Sequence, residues 1–328
     1  GAANPSWSAA DIATSADAAR DVHVADMDGD GDLDIVSASY SDDTIAWYES
    51  NAADNNLDTD AVAGADYTAV SGTLTFDAGD TTATFTVPVL ADSYPENNET
   101  ATMTLSNAPN ATLSDATGTL TITDDDSISF TGTTINKGLS DAAREVFLAD
   151  MDSDGDLDIV VSSSRDNTVA WFENDGAANP GFSHANIATN ARGGADVVVA
   201  DMDADGDLDI VSASSGDDTI AWYENDGAAN PTWSSEDIAT SANGAYSVDV
   251  ADMDGDGDLD IVSASDTDNT IAWYEHDGTS DPSWSAANIV TNVDGARGLS
   301  VADMDGDGDF DIVSAARDDD AIDWFEND

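Results

Sequence analysis

The sequence contains no cysteine and very few basic residues. Disulfides and thiolate chemistry are therefore excluded. Only 7 Lys and Arg oppose 69 Asp and Glu, which gives a formal net charge of -62. Because such a surface repels phosphate backbones and acidic membranes, we expect no nucleic-acid partner. No stretch approaches the ~20 apolar residues of a membrane-spanning helix, so no direct membrane insertion is expected either.

The chain nevertheless has the composition of a folded protein. Hydrophobic residues make up 41% of it and there are eight tryptophans, whereas a strongly charged disordered chain is poor in both. The sequence begins at Gly1 in the middle of a pattern, as expected of a processed or excised piece of a longer chain.

An internal repeat of 51 residues organises the sequence. The tripeptide Asp-Met-Asp recurs with its last three intervals equal to 51 residues and its first equal to 124, which is one period plus 73 residues. Tryptophans recur at the same intervals. The tripeptides begin at Asp26, Asp150, Asp201, Asp252 and Asp303. A fixed period of this length indicates a repeat architecture interrupted by one insertion.

Each period predicts four short strands, rich in β-branched and aromatic residues and separated by Gly, Asn, Asp and Pro. In one repeat these are residues 196–200, 208–213, 219–224 and 233–238. Four antiparallel strands per repeat are typical of a propeller blade. We therefore predict an all-β fold: a five-bladed β-propeller over residues 1–51 and 127–328, with a small β-sandwich-like insertion over residues 52–126. The fourth strand of the first blade is expected near residues 127–131.

The two ends of the chain complement each other. Residues 7–12 read as a fourth-type strand and residues 322–326 as a third-type strand, so the N-terminal strand is predicted to complete the last blade. Within one chain this seam closes a ring without an open edge. Between chains it produces a head-to-tail fibre. The sequence leaves both closures open.

Every repeat carries the acidic loop Asp-x-Asp-x-Asp-Gly-Asp-x-Asp. Alternating carboxylates on a tight turn converge on one point, and a site with 6–8 oxygen ligands suits Ca²⁺ better than Mg²⁺. The loop aspartates are Asp26, Asp28, Asp30, Asp32 and Asp34; Asp150, Asp152, Asp154, Asp156 and Asp158; Asp201, Asp203, Asp205, Asp207 and Asp209; Asp252, Asp254, Asp256, Asp258 and Asp260; and Asp303, Asp305, Asp307, Asp309 and Asp311.

A helix-loop-helix calcium hand is excluded as an interpretation of these loops. Such a hand needs Glu at the twelfth position, where the repeats have Ser37, Val161, Ser212, Ser263 and Ser314. The flanking residues also alternate with the period of a strand.

With this loop and this period, the chain resembles the FG-GAP/VCBS β-propeller repeats of the integrin α-subunit head and of many secreted bacterial proteins. The resemblance implies that the side chains at loop positions one, three, five and nine bind Ca²⁺ and that position seven contributes its backbone carbonyl. About five Ca²⁺ ions are then expected in the propeller.

The insertion looks like a Calx-beta domain, an immunoglobulin-like calcium-binding sandwich. Its segments are residues 66–76, 83–89, 101–105 and 119–126, and residues 50–65 leave little room for the first strands of that family. Either the sandwich is incomplete or a neighbour's strand completes it. The resemblance implies further calcium ligands at Asp92, Glu96, Glu99, Asp124, Asp125 and Asp126.

No catalytic constellation emerges from the sequence. The three histidines, His23, His184 and His276, occupy different phases of different repeats, so no nucleophile–base–orienter set is indicated. The recurrent Trp-Tyr/Phe-Glu of the third strand is interpreted as blade-to-blade packing, with sugar stacking as the alternative.

The expected protein is thus a secreted or cell-surface calcium-binding module that is adhesive or structural and not an enzyme. Its expected partners are extracellular proteins or glycans, with self-assembly through strand complementation. The alternatives are a lectin-like propeller and a non-catalytic domain of a polysaccharide-active enzyme.

Overall fold

The computed structural model describes residues 12–14, 16–29, 33–50, 61–90, 98–108, 111–123, 130–137, 142–280 and 282–327. Strands and turns account for the regular structure in these ranges, which contain no helix. No helix that could cross a membrane therefore occurs in the described part of the chain. The fold is all-β, with one antiparallel sheet for each repeat.

Four of the repeat sheets have four strands each, ordered from the first strand of the repeat to the fourth. Sheet one contains β1 (Ala19–Ala25), β2 (Asp34–Ser39), β3 (Thr44–Ser50) and β6 (Phe130–Lys137). Sheet two contains β7 (Ala143–Ala149), β8 (Asp158–Ser163), β9 (Thr168–Asn174) and β10 (Phe182–Ala188). Sheet three contains β11 (Gly194–Ala200), β12 (Asp209–Ser214), β13 (Thr219–Asn225) and β14 (Trp233–Ala239). Sheet four contains β15 (Ala245–Ala251), β16 (Asp260–Ser265), β17 (Thr270–His276) and β18 (Trp284–Val290).

Sheet five has three strands among the described residues, namely β19 (Ala296–Ala302), β20 (Asp311–Ala316) and β21 (Ala321–Phe325). The predicted fourth-type strand at residues 7–12 lies outside the described residues except for Ile12. Neither the closure of a ring nor the number of blades is therefore established by the sheets themselves.

The core lies between consecutive sheets. The second strands are nearly all buried, since both of their faces are covered, and the first strands of neighbouring sheets contact one another in order from β1 to β19. Each hydrophobic cluster combines two repeats, as where Trp171 of sheet two packs with Tyr223 of sheet three. Trp47 and Trp222 are buried in the same way, against Phe172 and Tyr274. The third-strand aromatics thus form the contacts between sheets.

Hydrogen bonds also join neighbouring sheets. Asp21 accepts a hydrogen bond from the backbone N–H of Val146 in the next sheet at 3.0 Å. Asn225, at the end of β13, donates from its side chain to the carbonyl of Met151 in the preceding sheet at 2.9 Å. Asp196 accepts in the same way from Val248, and Asn174 donates to the carbonyl of Met27, so several sheets are held in register by polar as well as apolar contacts.

The described residues divide into two compact units. One comprises those of Gly1–Gly29, Leu33–Glu49 and Gly132–Asp328, and the other those of Asp30–Asp32 and Ser50–Thr131. In the second unit β4 (Glu99–Thr104) pairs with β5 (Thr117–Ile122), and residues 61–90 contribute only two isolated bridges, Ala63 to Tyr67 and Tyr67 to Val89. The insertion bounds of 52–126 stay a prediction.

The fourth strand of sheet one lies further along the chain than predicted. The described strand that pairs with β3 is Phe130–Lys137, whereas the prediction was near residues 127–131, of which 127–129 lie outside the described residues. Residue 131 lies two periods before Trp233, so the repeat spacing itself indicates a strand that begins near this position.

Candidate metal centres

The acidic loops join the first strand of each repeat sheet to the second. The sharp turn within the loop depends on glycine at the sixth position, because Gly206 has a φ of 101°, which side chains with a Cβ rarely adopt. Carboxylates accept hydrogen bonds from the loop backbone: Asp201 accepts from the N–H of Gly206 at 3.1 Å and Asp203 from that of Asp205 at 3.2 Å. These bonds fold the loop so that its side chains converge.

The structure brings the aspartates of each loop together. In sheets two to five the aspartates at loop positions one, three and five each offer an oxygen within 4.8 Å of the others, and in sheet one those at positions one, three and nine do so. The groups are Asp150, Asp152 and Asp154; Asp201, Asp203 and Asp205; Asp252, Asp254 and Asp256; Asp303, Asp305 and Asp307; and Asp26, Asp28 and Asp34. Two oxygens that share a Ca²⁺ at 2.3–2.6 Å lie at most about 5 Å apart, so this spacing fits Ca²⁺.

Unsatisfied oxygens within the loops support the fit. The Oδ1 atoms of Asp152, Asp201 and Asp252 are buried and have no hydrogen-bond partner, whereas Asp201 and Asp252 use their Oδ2 atoms to accept from the loop glycines. A buried carboxylate oxygen without a partner is costly unless a cation or water satisfies it. The donor set, all oxygen and all anionic, suits a hard cation.

The pKa values of the aspartates at loop position three show that the carboxylates of each loop lie close together. Burial, and then the charge of Asp154, raise the pKa of Asp152 above its usual range. The pKa of Asp203 is raised in the same way by burial and by Asp205. A bound cation would reverse this, because it favours the ionised form of every carboxylate around it.

The aspartate at loop position nine has a structural role that the sequence did not indicate. The Oδ2 atom of Asp209 accepts from the N–H of Met202 at 3.1 Å, and its Oδ1 atom accepts from Asn225 at 2.8 Å. Asp158 makes the same pair of bonds with Met151 and Asn174. Burial raises the pKa of Asp158 and of Asp209 to about 7. In sheets two to five this residue lies outside the group of three, so its part in metal binding stays a prediction.

Glutamates of the third strand also lie near these loops and were not among the predicted ligands. Glu173, Glu224 and Glu275 are close enough to Asp152, Asp203 and Asp254 for their charges to raise the pKa values of those aspartates. They recur at the 51-residue period, so the signal was present in the sequence. It was overlooked because the residues lie some twenty positions from the acidic loop and become neighbours only when the strands pair.

The remaining predicted ligands are not brought into these groups. Asp156, Asp207, Asp258 and Asp309, at position seven, lie outside the sets of three, as expected where the backbone carbonyl is the predicted ligand. Glu99 is buried in β4 of the insertion. Asp30, Asp32, Asp92, Glu96, Asp124, Asp125 and Asp126 lie outside the described residues.

The histidines do not form a site with one another. Each packs against an aromatic ring: His23 against Phe147, His184 against Phe172 and His276 against Trp284, with ring centroids 4.9–5.5 Å apart.

Comparisons with known proteins agree with the repeat pattern. The family model for the FG-GAP-like repeat matches residues 150–212, 201–263 and 252–314, which together span half of the chain. The Calx-beta domain model matches residues 19–126, a range that also includes the first three strands of sheet one. A search of curated proteins finds no match.

Among solved structures, one similar protein is an Agrocybe aegerita lectin described by its recognition of non-reducing terminal N-acetylglucosamine. The two share 16% identity with a TM-score of 0.42, over 94% of this chain and 80% of the lectin chain. Another is the V. cholerae biofilm matrix protein Bap1, at 17% identity and a TM-score of 0.43, over 98% of this chain. The chain spans 40% of the length of that matrix protein.

Proposed function

Because this chain belongs to the family of FG-GAP-like repeats, we propose that it is an extracellular calcium-binding module with an adhesive or structural role. The five repeat sheets are the blades of a β-propeller, and the insertion is a small Calx-beta-like domain. The observation that carries this proposal is the set of aspartate groups at the same place in every sheet, which in sheets two, three and four include a buried oxygen that has no partner.

Calcium binding would stabilise each blade at the loop where negative charge is most concentrated. The loop between the first and second strands concentrates five aspartates, and their mutual repulsion opposes the turn. Neutralising that charge rigidifies the hairpin, and since the unfolded chain has no preformed site, the binding energy becomes folding energy. An acidic protein with this dependence suits a saline or calcium-rich extracellular setting, where salt shortens the range of repulsion to ~8 Å or less.

Equilibrium dialysis of the whole chain tests the calcium proposal. We expect about five bound Ca²⁺ ions from the propeller, and any further ions from the insertion. Mg²⁺ at the same concentration should compete poorly, because it demands octahedral geometry and retains its waters. Fewer than three bound Ca²⁺ ions, or equal competition by Mg²⁺, would contradict the proposal.

Exposed apolar residues at the two ends of the sheet series support head-to-tail assembly. In sheet five, Ile322 and Trp324 are 79% and 50% exposed, although the matching Trp222 is only 4% exposed. In sheet one, Val22 is 59% exposed, although the matching Val146 is fully buried. Each end therefore presents the surface that the other repeats bury against a neighbour, which makes a heterologous contact between copies favourable.

We infer that residues 7–12 of a second copy of this chain pair with the edge of β21. Electron microscopy in calcium should then show filaments that shorten when Trp324 is replaced by Asp. Discrete particles about 50 Å across at every concentration, the size of a compact domain of this length, would instead mean that the strand closes its own ring.

The proposal includes no catalytic activity. Adhesion is tested by the binding of the whole chain to surfaces coated with polysaccharide or with extracellular protein, measured by quartz-crystal microbalance in calcium and in chelator. Binding that is lost in chelator and restored by calcium is the expected result. Equal binding in both conditions would contradict a calcium-dependent adhesive role.

A further inference from the structure

A polar cavity of about 390 Å³ lies where the first strands of the repeat sheets begin, at the end of the sheets opposite the acidic loops. All five repeats contribute to its lining: Arg20 from the first, Arg144 from the second, Ser215 from the third, Tyr246 from the fourth and Arg297 from the fifth. Its volume is in the range of small-ligand sites.

Each first strand has a β-bulge near its start. The second residue of the first strand has no partner on the neighbouring strand, as in β7, where the pairing passes from Ala143 to Glu145. The residues at this bulge position are Arg20, Arg144, Ala195, Tyr246 and Arg297, of which all but Ala195 line the cavity. Bulges re-aim side chains and are common next to binding sites.

The cavity concentrates the scarce positive charge of the chain. Of only 7 Lys and Arg, Arg20, Arg144 and Arg297 line it, and Arg165 and Arg317 contact lining residues. The bulge position holds Arg in the first, second and fifth repeats, Ala in the third and Tyr in the fourth.

Two tyrosine rings hold four of the guanidinium groups. Arg144 and Arg297 lie over the ring of Tyr246, at 4.5 and 4.4 Å from its centroid. Arg20 and Arg165 lie over the ring of Tyr40, each at 4.9 Å. A guanidinium that stacks on a ring keeps its N–H edge available for a planar anion and loses little freedom when one binds.

The arginines differ in how far they are already neutralised. Asp266 pairs with Arg297 at 2.7 Å and with Arg317 at 3.3 Å, and Arg165 is 3.8 Å from Asp43. Arg20 and Arg144 form no ion pair with any residue that the structure describes. Burial raises the pKa of the Glu145 carboxyl and the charge of Arg144 lowers it in part, but the two groups are outside ion-pair distance. Two guanidinium groups of the cavity therefore have no ion-pair partner among the described residues.

We propose that this cavity binds the carboxylate group of one sugar unit of an acidic polysaccharide. The proposal rests on the adhesive function proposed above and names the chemistry of its ligand. Arg20 and Arg144 bind the anionic group, as guanidinium forks bind planar oxyanions. Ser215, Thr267 and Asp266 offer hydroxyl and carboxylate partners for sugar hydroxyls. An acidic loop of a second copy is disfavoured, because it would bring several carboxylates to an already acidic surface.

Isothermal titration of the whole chain at fixed free calcium tests this proposal. The probes are a galacturonic acid disaccharide, the neutral galactose disaccharide and acetate. We expect only the acidic disaccharide to bind appreciably, with affinity reduced ~10-fold or more by Arg20→Gln and Arg144→Gln together. Arg192→Gln is the matched control, since Arg192 is exposed and does not line the cavity; it should change the affinity less than ~2-fold.

A second measurement needs no variant. In protein labelled with ¹⁵N at arginine, the Nε resonances of Arg20 and Arg144 should shift on addition of the acidic disaccharide, and that of Arg192 should not. Equal binding of the neutral disaccharide would overturn the acidic ligand but leave a glycan-binding adhesin standing. Equal binding of acetate would point to a free anion. No binding of the acidic disaccharide, or equal loss in Arg192→Gln, would overturn the site itself while leaving the calcium measurements unaffected.

Discussion

Replacing Asp203 by Asn separates a calcium ligand from a structural carboxylate. The amide side chain of the Asp203→Asn variant would keep an oxygen that accepts the hydrogen bond from the N–H of Asp205, which is 3.2 Å long in the wild-type loop, so the loop geometry is preserved. The substitution removes one negative charge from a group whose oxygens lie within 4.8 Å of one another. Its effect on stability should therefore have opposite signs with and without calcium.

Without calcium, Asp203→Asn should stabilise the protein slightly. A pair of charges 4.8 Å apart in a water-like dielectric repels by about 0.9 kcal/mol, and salt lowers this further. Asp203 is only partly buried, so solvent screens this repulsion and the net gain should be at most ~1 kcal/mol. With calcium, a site that binds about 100-fold below the free concentration contributes about 2.7 kcal/mol. A tenfold weaker site loses about 1.4 kcal/mol of that.

Denaturant unfolding in excess calcium and in excess chelator measures how the substitution changes the free energy of unfolding in each condition. Glu236→Gln, on an exposed position of β14, is the control that removes one charge far from the loop. We expect Asp203→Asn to be destabilised in calcium and unchanged or slightly stabilised in chelator. Equal destabilisation in both conditions would mean that Asp203 acts through the loop structure alone and would refute the reasoning.

Two further predictions concern groups outside the acidic loops. Burial, followed by the charges of Asp196 and Asp21, raises the pKa of Glu145 to about 9, so the folded chain keeps a proton that the unfolded chain loses above about pH 4.5. The contribution of Glu145 to stability, which is fully present at pH 4, should therefore fall progressively between about pH 5 and pH 9. Glu145→Gln should be more stable than wild type by one to a few kcal/mol at pH 8 but not at pH 4. Parallel pH profiles of the melting temperature would contradict this. Asn225→Ala removes hydrogen bonds to the carbonyls of Met151 and Leu208 and an acceptor for the N–H of Gly227, and should lower the free energy of unfolding by about 2–4 kcal/mol. The control Asn230→Ala, on the exposed loop, should lower it by less than ~0.5 kcal/mol. Similar losses for both variants would show that Asn225 does not join the sheets.

Much of the fold follows from periodicity alone. The 51-residue spacing of the acidic loops and tryptophans located every repeat strand that the structure describes except the fourth of sheet one, because alternation within each short run is local information. Residues 219–224 were predicted as a third strand, and the observed strand is Thr219–Asn225. The aspartate groups were also predictable, because a loop of nine residues brings its own side chains together.

Properties that depend on pairing between distant strands were not predictable in the same way. Asp209 looks like any other loop aspartate. Its bond to Met202 lies within its own loop, but its bond to Asn225 appears only when β12 and β13 pair. Arg20, Arg144 and Arg297 do not stand out in the sequence, because the bulges and the cavity that unite them exist only in the assembled sheets. The insertion was the hardest part, since residues 61–90 alternate like strands but form only isolated bridges.

Stabilisation of the repeat sheets by calcium is tested most directly by the melting temperature in calcium and in excess chelator. At a free calcium concentration of about 100 times Kd, each of five sites adds about 2.7 kcal/mol, and each kcal/mol raises the melting temperature of a protein this large by about 2 °C. Chelation should therefore lower the melting temperature by ~20 °C or more, with recovery when calcium is restored. An unchanged melt in excess chelator would contradict the account.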